Sequence, residues 1–435
     1  MMRLVTTILV PALVLCCAAS AAFGSPAPAD STAPKTLGDY LRLAKASNAG
    51  LQAANYRAVG ARERAGAAGA MPDPSVQYGY YVAPEFAQTE HGETRIRGRQ
   101  ELILGQEFPF FGKRGLRRDV SESDARVEAH NARATALDVE YDVKRAFYQY
   151  VGLTETARVL DNEAELLRRM RDVAQVRYAS GTSEQQEVLK IELALSRLAD
   201  ETTINRRDVT ATQAFLNELI GRTATSPLGA PEWVVPDVTS IDTLAAPDSA
   251  RARRPDVAAA REQIARAEAS RRLARKEYIP DFMLGFDYEF GAGYEGWWEL
   301  MAGVNLPIWL GKRAAMVREA EAMQKSAQYE LTAATLRSDR EVEEAAARAR
   351  AARERYDRFK TSIIPQAEAA FSSSEAGYRS GRVEFLDYLD SERTLLETRR
   401  EFASVISDLG MEMARLERAA ASETAASGAS GKESR

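Results

Sequence analysis

Cysteine, histidine and proline are scarce in this chain, and each scarcity removes a class of function. Of 435 residues, two are cysteine and two are histidine. Both cysteines, Cys16 and Cys17, stand near the N-terminus. A zinc site, a disulfide framework and a cysteine nucleophile are therefore excluded from the body of the chain. His91 and His130 have no partner constellation near them, so no catalytic, cofactor or metal site is expected and the chain does not read as an enzyme. A basic excess is also missing: 58 Lys and Arg against 63 Asp and Glu leave −5, which argues against a nucleic-acid partner. Beyond the N-terminal segment, no run reaches the roughly 18 apolar residues of a transmembrane helix. Whatever this chain does inside a membrane it must do with strands. Proline numbers only 16, and long stretches contain none.

The N-terminus reads as a targeting segment. Met1-Met2-Arg3 is a basic start, Leu4 to Ala19 is apolar apart from Thr6 and Thr7, and Ala22-Phe23-Gly24 precedes Ser25 with small residues at −3 and −1. An uncleaved anchor is the alternative, which Pro11 and the small-residue exit disfavour. Lipidation at Cys16 or Cys17 is a weaker reading, because no small residue precedes the cysteine.

The remainder is one pattern written twice. Glu107-Phe-Pro-Phe-Phe-Gly-Lys-Arg114 recurs as Asn305-Leu-Pro-Ile-Trp-Leu-Gly-Lys-Arg313, shifted by 198 at the proline and 199 at Gly-Lys-Arg. Arg177-Tyr-Ala-Ser-Gly181 recurs as Gly377-Tyr-Arg-Ser-Gly381 with a shift of 200, and Met71-Pro-Asp-Pro74 answers Ile279-Pro-Asp-Phe282 with a shift of 208. The larger upstream shift implies a longer loop in the first copy, assigned to the polar stretch Glu85–Arg99. The expected organisation is a signal peptide 1–24, a first repeat 25–220, a Pro-rich extended connector 221–255, a second repeat 256–421 and a disordered tail 422–435.

Each copy reads as helix, two strands, very long helix, turn and shorter helix. Lys113 to Ala179 holds 67 residues with no proline, which as one helix would be about 100 Å long. Its counterpart, Lys312 to Arg379, has a single proline, Pro365, expected to kink it. The strands alternate. Phe282, Leu284, Phe286, Tyr288 and Phe290 fall on one face, as do Trp298, Leu300, Ala302, Val304 and Leu306. Asp287, Glu289, Glu299 and Asn305 fall on the other. Apolar-out, polar-in alternation over about ten residues is the mark of a transmembrane strand, though a soluble amphipathic hairpin alternates too. Tyr80, Tyr81, Phe108, Phe110, Trp297 and Trp309 stand near strand ends, where an interfacial girdle would put them.

Such strands are too few to close a barrel, since transmembrane barrels use at least about eight. Several copies must pool them. Oligomerisation follows from the pattern; the number of copies does not.

The chain resembles the TolC-like outer membrane factor family over nearly its whole length after the leader. The resemblance rests on the doubled helix–strand–strand–long helix–turn–helix order and on Leu37-Gly-Asp-Tyr-Leu-Arg-Leu-Ala-Lys-Ala-Ser-Asn48 with Leu51. It rests also on the two Pro…Gly-Lys-Arg strand exits and the two Tyr-x-Ser-Gly turns. It implies a mainly α fold with a small β part. A homotrimer would join a long α-helical barrel in the periplasm to a β-barrel of about twelve strands in the outer membrane of a Gram-negative bacterium, in contact with its lipid. It implies the exit duct of a tripartite efflux system, docked by a periplasmic adaptor and an inner-membrane pump and exporting small molecules or metal ions. The Pro72-Asp73-Pro74 segment and the first strand exit look similar to the heavy-metal efflux branch. A type I secretion channel is the alternative. A periplasmic coiled-coil adaptor fits less well, because it would show one helical hairpin between β-rich flanks.

Carried onto this sequence, the resemblance makes Ser180-Gly181 and Ser380-Gly381 the periplasmic tips, where an adaptor would touch together with Arg382. Asp387 and Asp390 match the aspartate pair that constricts the family's entrance, and Glu384 adds an acid earlier. Glu187 and Tyr378 match positions that tie the closed state. Arg382 stands one position before the family's usual latch arginine.

Overall fold

Local signals set each element. In chain order, α1 (Leu37–Ser47) and α2 (Ala49–Ala68) lead into β1 (Ser75–Glu85), β2 (Arg95–Phe108), α3 (Lys113–Ala179) and α4 (Gln185–Leu219). Short helices α5 (Ile241–Leu244) and α6 (Pro247–Arg253) follow, then α7 (Pro255–Lys276), β3 (Asp281–Gly291) and β4 (Tyr294–Asn305). Helix α8 (Leu310–Arg358), a π-helical turn (Phe359–Ile363), α9 (Ile364–Arg379) and α10 (Phe385–Ala419) complete the chain. This is a computed structural model, and it describes residues 33–85, 95–236, 239–291 and 294–422. The expected signal peptide, His91 and all but the first residue of the expected tail lie outside them.

The Asn48 motif acts as a hinge cap. Asn48 ends α1 and caps α2, its Oδ1 accepting the Leu51 N–H at 2.9 Å while its Nδ2 donates to the Leu219 carbonyl, the last of α4, at 2.9 Å. Helix α3, uninterrupted over 67 residues, is the spine on which α2, α4, α7 and α10 pack. Two glycines bring it close to α10. A Cβ on Gly410 would fall 2.1 Å from Cγ of Tyr148, and one on Gly152 would fall 2.7 Å from Cβ of Ser407. Val143, Phe147, Val151, Leu216 and Ile406 close the core around this point.

Two expectations give way here. The connector is not extended throughout: α5 and α6 bury Ile241, Leu244 and Ala250 against Val342 and Ala345 of α8 and Leu409 of α10. In place of a simple kink, the second long helix passes through the π turn just before Pro365. Proline lacks an N–H, and its ring strikes the carbonyl four residues back; a wider turn accommodates both.

The strands form one antiparallel sheet ordered β1-β2-β3-β4. Residues 95–99, expected in the loop, are strand, with Glu85 facing Arg95 and Tyr81 facing Arg99. The two hairpins share one register: moving Ser75 by 208 and its partner Gly105 by 198 gives Met283 and Gly303, which are also paired. One face carries Val76, Tyr78, Tyr80, Phe282, Leu284, Phe286, Trp298, Leu300 and Val304, all exposed, Leu300 to 70%. Tyr81 and Trp297 lie on the opposite, polar face, so they cannot belong to the same girdle as Tyr80; Trp297 Nε1 donates to Glu289 at 2.7 Å. No helix among the described residues is long and apolar enough to cross a membrane.

The Gly-Lys-Arg exits lock strands to helices. Gly112 takes a left-handed φ of 85°, turning the chain into α3. Lys113, 1% exposed, donates to Asp281 Oδ1 and to the Ile279 carbonyl, each at 2.8 Å. Asp281 Oδ1 also accepts the Phe110 N–H at 2.7 Å. Glu277 lies 3.6 Å from Lys113, from Arg117 and from Arg313 of the second exit. The Pro-Asp motif of one repeat thus receives the buried lysine of the other.

Candidate functional site

The helical tips are built alike. Gly181 and Gly381 have φ of 74° and 72°. The Thr182 N–H reaches back to the Arg177 carbonyl, and the Arg382 N–H to that of Gly377, each at 2.9 Å, the six-to-one bond of a Schellman cap. Ser180 donates to the Arg177 carbonyl at 2.9 Å and Ser380 to that of Gly377 at 3.1 Å, so both tip serines satisfy helix ends. The copies differ at the position four before the glycine. A Cβ on Gly377 would lie 2.4 Å from Val383, whereas the first copy carries Arg177, whose guanidinium sits 4.9 Å above the Tyr378 ring.

Tyr378 is the hub of this end. It stacks on Tyr388 at 5.0 Å and meets Phe385 edge-on at 5.9 Å. Its hydroxyl donates to Glu187 Oε2 at 3.4 Å, joining the second tip to the first turn of α4. Burial, and then the Glu187 charge, push the Tyr378 phenol above its ordinary range, which keeps the donor protonated. Beneath it, Leu167, Met170, Ile191, Leu198 and Tyr388 bind α3, α4 and α10 together. The stacking on Arg177 carries no short-range sequence signal, since it depends on two turns about 200 residues apart meeting in space, whereas Tyr388 lies ten residues on, across the same tip.

Asp387 and Asp390 are exposed on α10, three residues apart and hence on one face. Asp387 lies in the first turn, where the helix dipole favours an acid. Glu384, three residues before Asp387, is the N-cap, with extended φ and ψ of −75° and 155°. Arg382 Nε donates to Ser380 of its own turn at 2.9 Å. Both aspartates line an open groove of about 610 Å³ between α10 and α4, whose far wall includes Lys190 and Arg197. In one chain the structure brings Tyr378 and Glu187 together and leaves Asp387 and Asp390 facing open space.

A second cavity, about 560 Å³, lies midway along the helices beside the π turn, lined by Trp233, Tyr356, Phe402, Ile406 and Glu163. Glu163 is 6% exposed, its Oε1 has no hydrogen-bond partner, and burial raises its carboxyl to about 7 against the opposing charge of Arg399.

Comparison with known proteins agrees with this architecture. Residues 246–422 match the family model described as outer membrane efflux protein. The chain is 24% identical over 390 residues to the pyoverdine export outer membrane protein OpmQ of Pseudomonas putida, covering 84% of this chain and 82% of that one. It is 22% identical over 393 residues to the cobalt-zinc-cadmium resistance protein CzcC of Cupriavidus metallidurans, covering 87% and 88%. The crystal structure of CusC superposes with a TM-score of 0.78 at 16% identity, over 92% of this chain and 95% of that one.

Proposed function

We propose that this chain, which belongs to the outer membrane efflux protein family, is the outer-membrane exit duct of a tripartite efflux system, passing small molecules or metal ions out of the cell. The observation that carries the reading is the four-stranded sheet with one exposed apolar face, one polar face and two free edges. In a lipid bilayer an open strand edge leaves backbone groups without partners, so the edges must close on other copies. The apolar face then meets outer-membrane lipid and the polar face lines a channel. Three copies, the number implied by the family resemblance, supply about twelve strands.

The repeat supplies the geometry of that closure. Within the chain, the seam between repeats pairs Gln106 with Leu284 and Phe108 with Phe282. Applying the repeat shifts of 198 and 208 to this seam sets Val304 of β4 opposite Val76 of the next copy's β1, and Leu306 opposite Pro74. With the shift of 199 that holds at Gly-Lys-Arg, Lys312 falls beside Asp73 of the next copy, as Lys113 pairs with Asp281; both are exposed here. Directly opposed residues of antiparallel strands have Cα atoms about 4.5–5.5 Å apart, within the range a disulfide spans. The double variant Val76→Cys with Val304→Cys is expected to give oxidant-dependent cross-linked dimers and trimers on a non-reducing gel. Monomers alone under oxidising conditions would count against this seam.

At the other end, Asp387 and Asp390 from three copies form stacked carboxylate rings at the entrance, and Tyr378 with Glu187 helps hold it closed. The tips around Gly181 and Gly381 are the surface offered to a periplasmic adaptor, with an inner-membrane pump behind it. Carboxylate rings hold cations at a constriction. The double variant Asp387→Ala with Asp390→Ala is expected to raise single-channel conductance in planar bilayers and to weaken block by multivalent cations roughly tenfold. Unchanged block would remove these acids from the gate.

A further inference from the structure

We propose that Glu101, Asp287 and Glu289 form a binding site for a hard divalent cation of the calcium class, on the polar face of the sheet. Glu101 of β2 stands directly opposite Glu289 of β3, and Asp287 is the next residue along that face of β3. One carboxylate oxygen from each lies within 4.8 Å of the others. Asp287 and Glu289 are only 7% and 5% exposed. Three carboxylates this close repel one another, and burial strengthens the repulsion.

Among the described residues, the cation that reaches these three acids is Arg99. Glu289 pairs with Arg99 at 3.1 Å and accepts from Trp297, which holds its carboxylate in place. The Tyr81 hydroxyl bonds Glu101. Glu299, opposite Asp287 on β4, adds a fourth acid. Asp287 Oδ1 is buried and has no hydrogen-bond partner, although a buried oxygen of this kind normally has one. A cation among the three groups satisfies that oxygen and removes the repulsion together. The donors are all carboxylate oxygens, with neither imidazole nor thiolate, which suits calcium and its class rather than zinc or copper. The ion would bridge β2 and β3, the strand seam between the two repeats. Every ligand comes from one chain, so the site does not depend on how copies assemble.

Terbium(III), a luminescent stand-in for calcium, tests this directly on the full chain purified in detergent. Trp297, hydrogen-bonded to Glu289, is placed to sensitise it. Excitation of tryptophan should give saturable terbium emission at one ion per chain, displaced by calcium at lower concentration than by zinc. Asp287→Asn and Glu101→Gln should each weaken terbium binding by about tenfold or more while leaving the circular dichroism spectrum unchanged. Trp297→Phe should abolish the emission yet keep calcium-dependent protection against thermal unfolding. Emission that does not saturate, or that is unchanged in Asp287→Asn, would overturn the site. So would preferential displacement by zinc. Absence of any calcium effect on unfolding would instead indicate a proton shared between Glu101 and Asp287, which also overturns it.

Discussion

Replacing Lys113 by methionine is expected to destabilise the protein by about 3–5 kcal/mol, the range for removing one partner of a buried ion pair. Lys113 is 1% exposed, and its ammonium donates to Asp281 and to the Ile279 carbonyl. Methionine fills a similar volume, so the loss is electrostatic. Asp281 keeps the Phe110 N–H but is left as a charge in a largely dry pocket. Arg117 provides the internal comparison. It reaches Glu277 at 3.6 Å and is 41% exposed at its side chain, so Arg117→Met should cost less than about 1 kcal/mol. Chemical denaturation followed by tryptophan fluorescence distinguishes the two. Equal losses would show that Lys113 is not the electrostatic keystone of the strand–helix junction.

Glu163→Gln should act in the opposite direction and with a pH signature. The carboxyl sits near 7 in the folded protein against an ordinary 4.5. Between those values the folded state holds a proton that the unfolded chain has released, so stability falls as pH rises from about 4.5 to about 7 and levels off above. Glutamine is neutral throughout and removes this slope. At pH 8 the variant should be more stable than wild type by up to about 3 kcal/mol, and below pH 4 the two should converge. Urea midpoints measured across that range test the slope. A wild-type profile that is flat between pH 5 and pH 7 would mean that Glu163 gains a compensating charge in the assembled protein.

The sequence made the long-range plan legible because that plan is written in local chemistry. Lys113–Ala179 is helical to the residue, since it holds no proline and only Gly115 and Gly152, while Gly112 and Gly181 turn the chain at its ends with positive φ. Strand alternation located the second hairpin, because a period of two has little else to mean over ten residues, and the repeat placed the first. What stayed hidden depends on pairing. That Tyr81 and Trp297 face away from Tyr80 is a matter of parity, which a list of terminal aromatics ignores. Glu101 joins Asp287 and Glu289 only once the β2–β3 register is fixed. The helices α5 and α6 are too short for a periodic signal and exist because α8 and α10 offer them an apolar surface. Among the candidate gate residues, Tyr378 and Glu187 meet through tertiary contact. The N-cap position of Glu384, by contrast, follows from the local turn after Gly381.

The glycine contact between α3 and α10 has a mechanical consequence. At Gly410 the α10 backbone rests against the Tyr148 ring with no side chain of its own between them, so the two helices cannot come closer there. That makes the contact a fulcrum. Asp387 lies 23 residues from Gly410 along α10, a lever arm of about 35 Å. A swing of about 10° at the fulcrum therefore carries the carboxylate about 6 Å, a displacement comparable to the full pitch of the helix that bears it.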